Sequence, residues 1–444
     1  MKVEIDPSEI SGKMDAPKSK SLTIRMMLAS IFSDISIRGV ERSADVLWAL
    51  EALKNFGVEA EVKPFPMPYG LNLTLRRPRS IPRKVSVYAG GSATLVRMLA
   101  PMAAALGVEA TFDGDLSLRR RPMTGLFMSL RDAGIEVTAA KDGGLPFRIR
   151  GKLKGRDFSV KGLESSQHAS GFMYALRCVG GGSLALKDVP SRSYLRMTAW
   201  VLEKLSSNVE FFNDESEVKI EARGSGPFSE TAPGDYLISS FYAAAASITG
   251  GTLVVSGLYP PLEFFGDHSI VSIFMRLGIM SIFKGNSWWV SSLGLPETSA
   301  RDGFRSGLHS RQGKTPEKGD NALEMNLDDS PDMVLSLAPF AAIADINLKG
   351  VNRLKFKESD RLSGVMEVMK EFGLSGQLYK DEMRLSQGRP VRGYIRCGND
   401  HRIAMMASAL ASLAGGTIEG AECVEKSDPN FWLRYRDLGG KITW

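Results

Sequence analysis

Six stretches of this chain share one layout: a few small or polar residues, then a helix that is apolar on almost every side. They are KSKSLTIRMMLAS, GGSATLVRMLAPMAAALG, ESSQHASGFMYALRC, GDYLISSFYAAAASITGG, DSPDMVLSLAPFAAIAD and GNDHRIAMMASALASLAGG. A helix without a polar face has to be buried, so each must be wrapped by other elements. With Ser21, Ser92, Ser165, Asp235, Asp332 and Asp400 as starts, the separations are 71, 73, 70, 97 and 68 residues. This is a sixfold repeat of one supersecondary unit.

Each repeat also contains an amphipathic helix leading into an apolar strand: SADVLWALEALKNFGVEAEV, RPMTGLFMSLRDAGIEVTA, SYLRMTAWVLEKLSSNVEFF, HSIVSIFMRLGIMSIF, DRLSGVMEVMKEFGLSGQ and NFWLRYRDLGGKITW. All but the third end in glycine, the expected left-handed cap. Pro101 and Pro339 fall at the same depth of the second and fifth buried helices, which supports two homologous halves of three repeats. The half boundary reads near Ala232, Pro233 and Gly234, and the strand before Pro17 is expected to pair with the second half. That assigns 17–232 to an N-terminal domain and 1–16 plus 233–444 to a C-terminal domain, with a ligand expected in the cleft between them. The long fourth separation reflects LPETSARDGFRSGLHSRQGKTPEKGDN, an expected exposed loop near 296–321.

Composition narrows the partners. No apolar run is long enough to span a membrane, and the first residues lack the apolar core of a signal peptide, so a cytoplasmic protein is expected. Three widely spaced cysteines and four scattered histidines offer neither a disulfide framework nor a metal-ligand spacing. The formal charge of +6 favours acidic partners, yet basic runs are short and not interleaved with aromatics, which argues for small anions over nucleic acid.

The starts of the buried helices carry the polarity that their bodies lack. Free N–H groups and the helix dipole favour anions there, and Lys20, Arg25, Arg97, Arg121, Lys357, Arg361, Arg402 and Lys426 lie close by in sequence. One such start reads as a solvated cap; its recurrence in nearly every repeat favours a site for phosphates and carboxylates.

Several of these residues fall in motifs: Lys18 to Ser21 with Arg25, Ser92 to Arg97, Arg121 with Pro122, Ser165 to Gln167, Ser191 with Tyr194, Pro331 with Asp332, KESDR at 357–361, NDHR at 399–402, and Lys426. Together they resemble the 5-enolpyruvylshikimate-3-phosphate synthase family over essentially the whole chain. The resemblance implies an α/β fold, a two-domain inverted barrel of six βαβαββ repeats with the active site in the interdomain cleft. It implies transfer of the enolpyruvyl group of phosphoenolpyruvate to shikimate 3-phosphate by a cytoplasmic monomer that needs no metal or organic cofactor, membrane or nucleic acid.

By the same resemblance, Ser165, Ser166 and Ser191 hold the shikimate phosphate, Ser21, Arg25 and Tyr194 its carboxylate and ring, and Lys357 lies near the reacting hydroxyl. Gln167 stands between the substrates. Lys20, Ala93, Thr94, Arg121, Glu358, Arg361, Arg402 and Lys426 surround phosphoenolpyruvate. Asp332 takes the hydroxyl proton, and Glu358 and Lys20 handle the proton at the methylene. Asp400 and His401 read as a capping cluster, and His168 as packing. Adding an alcohol to an enol ether needs such a base, an acid at C3 and cations on the leaving phosphate.

Departures from the family pattern are Ser117, Arg353 and Asp428, to which no role is carried over. Ala93 occupies a position where many members have glycine, which predicts ordinary turnover with poor inhibition by glyphosate. Two rivals remain. A UDP-N-acetylglucosamine enolpyruvyltransferase would carry a reactive cysteine in the loop that here reads GDLSLRRRPM. A non-catalytic anion-binding repeat protein would not need Lys20, Asp332, Glu358 and Lys426 together.

Overall fold

The computed structural model describes all residues except 68, 141–142, 163, 225, 261–266 and 293–321; the loop expected near 296–321 therefore lies outside the described residues. The chain forms two compact units, one of 18–233 and one of 1–17, 234–260 and 267–444. Each unit holds three four-stranded sheets, giving six among the described residues.

The second repeat shows the common plan. Strand Lys84–Tyr88 enters the buried helix Ala93–Leu106, and the chain returns along Glu109–Asp113, parallel to the first strand. The covering helix Thr124–Asp132 follows, then a hairpin of Glu136–Ala139 and Phe147–Arg150 completes the sheet. A parallel pair needs a crossover long enough to hold a helix, and the apolar run from Ala93 supplies it. Opposite residues Phe112 and Phe147 stack at 5.0 Å, fixing the register between return strand and hairpin.

The leading strands of the first and fourth sheets come from elsewhere in the chain. Phe228–Thr231 runs parallel to Ile35–Glu41 in the first sheet, and Gly12–Asp15 runs parallel to Thr252–Ser256 in the fourth. Lys2–Asp6 fills the middle of the last sheet, antiparallel to both Gly416–Glu419 and Lys441–Thr443. Among the described residues the chain thus passes from one unit to the other after Pro17 and after Pro233.

The buried helices are as dry as their composition requires. In Tyr236–Thr249 every residue but the last is buried, and in Ala93–Leu106 only Thr94 and Leu106 are not. The expected fifth helix is different: it breaks into a 3-10 turn Pro331–Met333, one α-turn Val334–Leu337 and a second 3-10 stretch Ala338–Ala342. Proline lacks the N–H that continues the ladder. Ala93–Leu106 tolerates Pro101 because two turns are already formed, whereas a single turn precedes Pro339. The covering helices end as expected, with Gly57, Gly134, Gly278, Gly373 and Gly439 at positive φ; in the repeat without glycine, Ser206 takes that conformation at φ 60°. Among the described residues no helix is long and apolar enough to cross a membrane.

Candidate active site

The expected site residues divide between the two units. In 18–233, Lys20, Ser21, Ala93, Thr94, Ser165, Ser166 and Gln167 gather at the starts of three buried helices, while Arg121 follows the short helix Leu116–Arg119 and Ser191 and Tyr194 lie at the start of the covering helix Ser193–Lys204. Ser19 caps Lys20–Leu28, Ser92 precedes Ala93–Leu106, and Ser166 precedes Gln167–Cys178, with Ser165 Oγ accepting the Gln167 N–H at 3.2 Å. Gln167 joins two of these starts: its Nε2 donates to Thr94 Oγ1 at 2.8 Å, and its Oε1 accepts from Arg97 at 3.0 Å. Arg97 also donates to the Pro122 carbonyl at 2.8 Å, tying in the turn that carries the buried Arg121. Ala93 is 2 % exposed, and the equally buried Ser92 Oγ has no partner among the described residues.

Arg25 is the deepest cation of this unit, 1 % exposed. It donates to Thr198 Oγ1 at 2.9 Å, to the Ser21 carbonyl at 2.9 Å and to the Tyr194 carbonyl at 3.4 Å, and lies over the Tyr194 ring. Burial pushes its guanidinium below the ordinary value, and no carboxylate among the described residues offsets this. Ser191, just before Tyr194, is held at φ 51°, a conformation that non-glycine residues rarely adopt. Lys20 has a partner that sequence reasoning missed: Asp45 in the first turn of Ala44–Asn55 accepts its ammonium at 2.8 Å. The only sequence signal for Asp45 was a carboxylate in the opening turn of a covering helix. His168 is fully buried with Nε2 on the Lys161 carbonyl at 2.7 Å, and burial lowers it to about 4, so it is a neutral packing residue.

In the other unit, Asp332, Lys357, Glu358, Arg361, Arg402 and Lys426 form one charged network. Asp332 binds Arg361 at 2.6 Å, Lys357 at 3.1 Å and Arg402 at 2.5 Å. Arg361 reaches Glu358 at 2.7 Å, and Lys426 reaches the other Glu358 oxygen at 3.5 Å. Asp400 is more than the expected cap. It caps its helix through the Arg402 N–H at 3.1 Å, accepts Ser359 Oγ at 2.8 Å, and takes Arg361 through both carboxylate oxygens at 2.8 and 3.1 Å.

The electrostatics follow from this packing. Burial would raise the Asp332 carboxyl, but Arg402, Lys357 and Arg361 outweigh it and hold the group well below the carboxylate range. Burial lowers Lys357, and Asp332 only partly restores it. Arg361 is held above its ordinary value because Asp400, Glu358 and Asp332 outweigh burial. The buried Arg402 Nε has no acceptor among the described residues. The fully buried Asp428, two residues beyond Lys426, is satisfied by Tyr242 Oη at 2.6 Å, the Asn430 N–H at 3.0 Å and Arg434, so the polar residue fits its turn.

Six like sheets, dry helices and charge gathered at helix starts define a repeat-built, two-unit α/β protein with an anion-binding site. Residues 5–434 match the model of one family, and the chain belongs to it: EPSP synthase (3-phosphoshikimate 1-carboxyvinyltransferase). It is 36% identical over 446 residues to a 3-phosphoshikimate 1-carboxyvinyltransferase of Sulfurisphaera tokodaii, covering 100% of this chain and 99% of that one. It is 34% identical to one from Caldivirga maquilingensis, covering 100% of both. In structure it is similar to EPSP synthase from Acinetobacter baumannii, with TM-score 0.74, 21% identity and 100% of both chains covered. It is also similar to the enolpyruvyl transferase NikO from Streptomyces tendae, with TM-score 0.71, 15% identity, and 100% and 98% covered.

Proposed function

We propose that the chain transfers the enolpyruvyl group of phosphoenolpyruvate to the 5-hydroxyl of shikimate 3-phosphate, releasing phosphate. Family membership supports the reaction class, and one observation carries the residue roles: Asp332 is a carboxylate pinned by Arg361, Lys357 and Arg402. In that state it is a weak base. Anionic substrates compete for the same cations, and each cation drawn away raises the affinity of Asp332 for a proton. Asp332 then takes the proton of the 5-hydroxyl as its oxygen bonds to C2 of phosphoenolpyruvate. A proton delivered to C3 completes a tetrahedral intermediate. Return of a C3 proton and departure of phosphate from C2 regenerate the enol ether, so atoms and charge balance over the two steps.

Glu358 and Lys20 serve the C3 proton in this reading, while Arg121, Arg361, Arg402 and Lys426 hold phosphoenolpyruvate beside Ala93, Thr94 and Gln167. Arg25, buried with no carboxylate partner among the described residues, suits the carboxylate of shikimate 3-phosphate. Ser21, Ser165, Ser166, Ser191, Tyr194 and Lys357 complete that substrate's contacts. The reading extends to a cytoplasmic monomer acting on two small anions, a state that sedimentation would check. Mixing the purified protein with both substrates should release phosphate in step with loss of phosphoenolpyruvate. Shikimate 3-phosphate bound without any phosphate release would leave only an anion-binding protein.

A further inference from the structure

Two of the three cysteines lie side by side in the C-terminal part of the chain. Cys397 follows the strand Gly393–Arg396, and Cys423 lies in the 3-10 turn Ala421–Lys426. Their Sγ atoms are 3.0 Å apart, so a shift of about 1 Å would bring them to the ~2.05 Å of a disulfide. Backbone contacts hold the pair in place. The Cys397 N–H donates to the Glu419 carbonyl at 3.1 Å, its thiol donates to the Gly420 carbonyl at 2.9 Å, and the Cys423 N–H donates to that same carbonyl at 3.1 Å. Gly420 has φ 78°, and a side chain there would press on Cys397 Sγ at 3.0 Å. Cys397 is buried and Cys423 half-buried, while Cys178 belongs to the other unit.

Each member of the pair stands three residues ahead of a residue of the charged network, Asp400 for Cys397 and Lys426 for Cys423. The two segments already touch through His401 Nε2 and Ser427 Oγ at 3.0 Å. We propose that Cys397 and Cys423 are a redox-modification site, closed to a reversible disulfide by exchange with a small-molecule disulfide. The bond clamps the turn that carries Lys426 to the loop that leads into Asp400 and Arg402.

The exchange balances. Sγ of the more accessible Cys423 attacks one sulfur of the small disulfide, breaking its S–S bond and releasing one thiolate, which takes up the Cys423 proton. Sγ of Cys397 then attacks Cys423 Sγ and expels the second thiolate, which takes the remaining proton. Two protein thiols are oxidised and one external disulfide is reduced to two thiols. The hydrogen bond the two thiols share pulls Cys397 below its ordinary value and, together with burial, pushes Cys423 above its own, so the attack by Cys423 is the slow step and the attack by Cys397 the fast one. Because the sulfurs already adjoin, closure moves side chains and leaves the Lys426–Glu358 and Arg361–Asp400 pairs in place. The bond therefore stabilises the protein without stopping turnover.

The test uses reduced full-length protein, freed of reductant and incubated with oxidised glutathione. Thiols are counted after unfolding in guanidinium, and peptides are mapped by mass spectrometry without reduction. The count should fall from three to one, with a Cys397–Cys423 cross-linked peptide two hydrogens lighter than its parts. The Tm should rise by about 5 °C, with kcat within about twofold of the reduced protein. Cys397→Ser should abolish both the cross-link and the rise in Tm. Three persistent thiols, or a glutathione adduct on Cys423 without the cross-link, would overturn the assignment. A cross-link that leaves Tm unchanged or lowers kcat more than tenfold would overturn the clamp.

Discussion

Asp332 answers to three cations at once, and that fixes what its removal should do. Asp332→Asn should lower kcat by at least about 100-fold and destabilise the protein by about 3 kcal/mol, because Lys357, Arg361 and Arg402 lose a shared counter-charge. Steady-state kinetics and urea unfolding report the two effects separately. Since the folded carboxyl titrates below its unfolded value, its contribution is complete above the ordinary carboxylate range and is lost as pH falls through the folded value. His168 acts at higher pH. Buried neutral, with its folded value lowered from 6.5 to about 4, it binds a proton more readily unfolded, so stability drains as pH falls from 6.5 towards 4. The loss between pH 7 and 5 should be about 2 kcal/mol, and His168→Gln should flatten that slope in urea titrations at the two pH values. At Ala93, the steric reading predicts that Ala93→Gly increases inhibition by glyphosate while leaving turnover nearly unchanged; equal inhibition of both proteins would refute it. That Asp332, Arg361 and Lys426 belong to one charged cluster was legible because each lies in or beside a short motif. Asp45 was not, because nothing local links it to a lysine 25 positions earlier; only the packing of two helices does.

Buried helices that touch need a residue small enough to let their backbones approach. Gly171 in Gln167–Cys178 is that residue: a Cβ there would lie 2.6 Å from the Arg97 carbonyl and 2.8 Å from Met98 Cα of the neighbouring helix. Those atoms are backbone and cannot swing aside. Gly171→Ala should therefore cost about 1–3 kcal/mol and loosen the Gln167–Thr94 link between the two helix starts. A lower urea midpoint together with a higher KM for phosphoenolpyruvate is the expected signature; an unchanged KM would confine Gly171 to stability. Element existence was readable from the sequence because a helix without a polar face has one possible environment. The interruption at Pro339 was not, since the same proline is absorbed at Pro101. What differs is the length of helix formed before it, a balance between cooperativity and a lost hydrogen bond that composition does not display.

At the scale of the whole chain, the sixfold spacing made the six sheets legible, because each dry helix demands a sheet of its own. The exchange of leading strands was harder to read. Gly12–Asp15 and Phe228–Thr231 are short, and their partners are chosen by tertiary position. The last sheet has a further consequence. Glu4 pairs with Thr443 and Ile5 with Ile442 on antiparallel neighbours, so Met1 and Trp444 are near each other. A linker of a few residues could join Trp444 to Met1, and the chain could be opened between Pro233 and Gly234 instead. The rearranged gene would encode 234–444, the linker, 1–17 and then 18–233, making each unit continuous and leaving one covalent connection where the natural order has two. Such a permutant should keep all six sheets, as hydrogen exchange would show. Its turnover relative to the natural order would measure how much the reaction owes to a doubled tether.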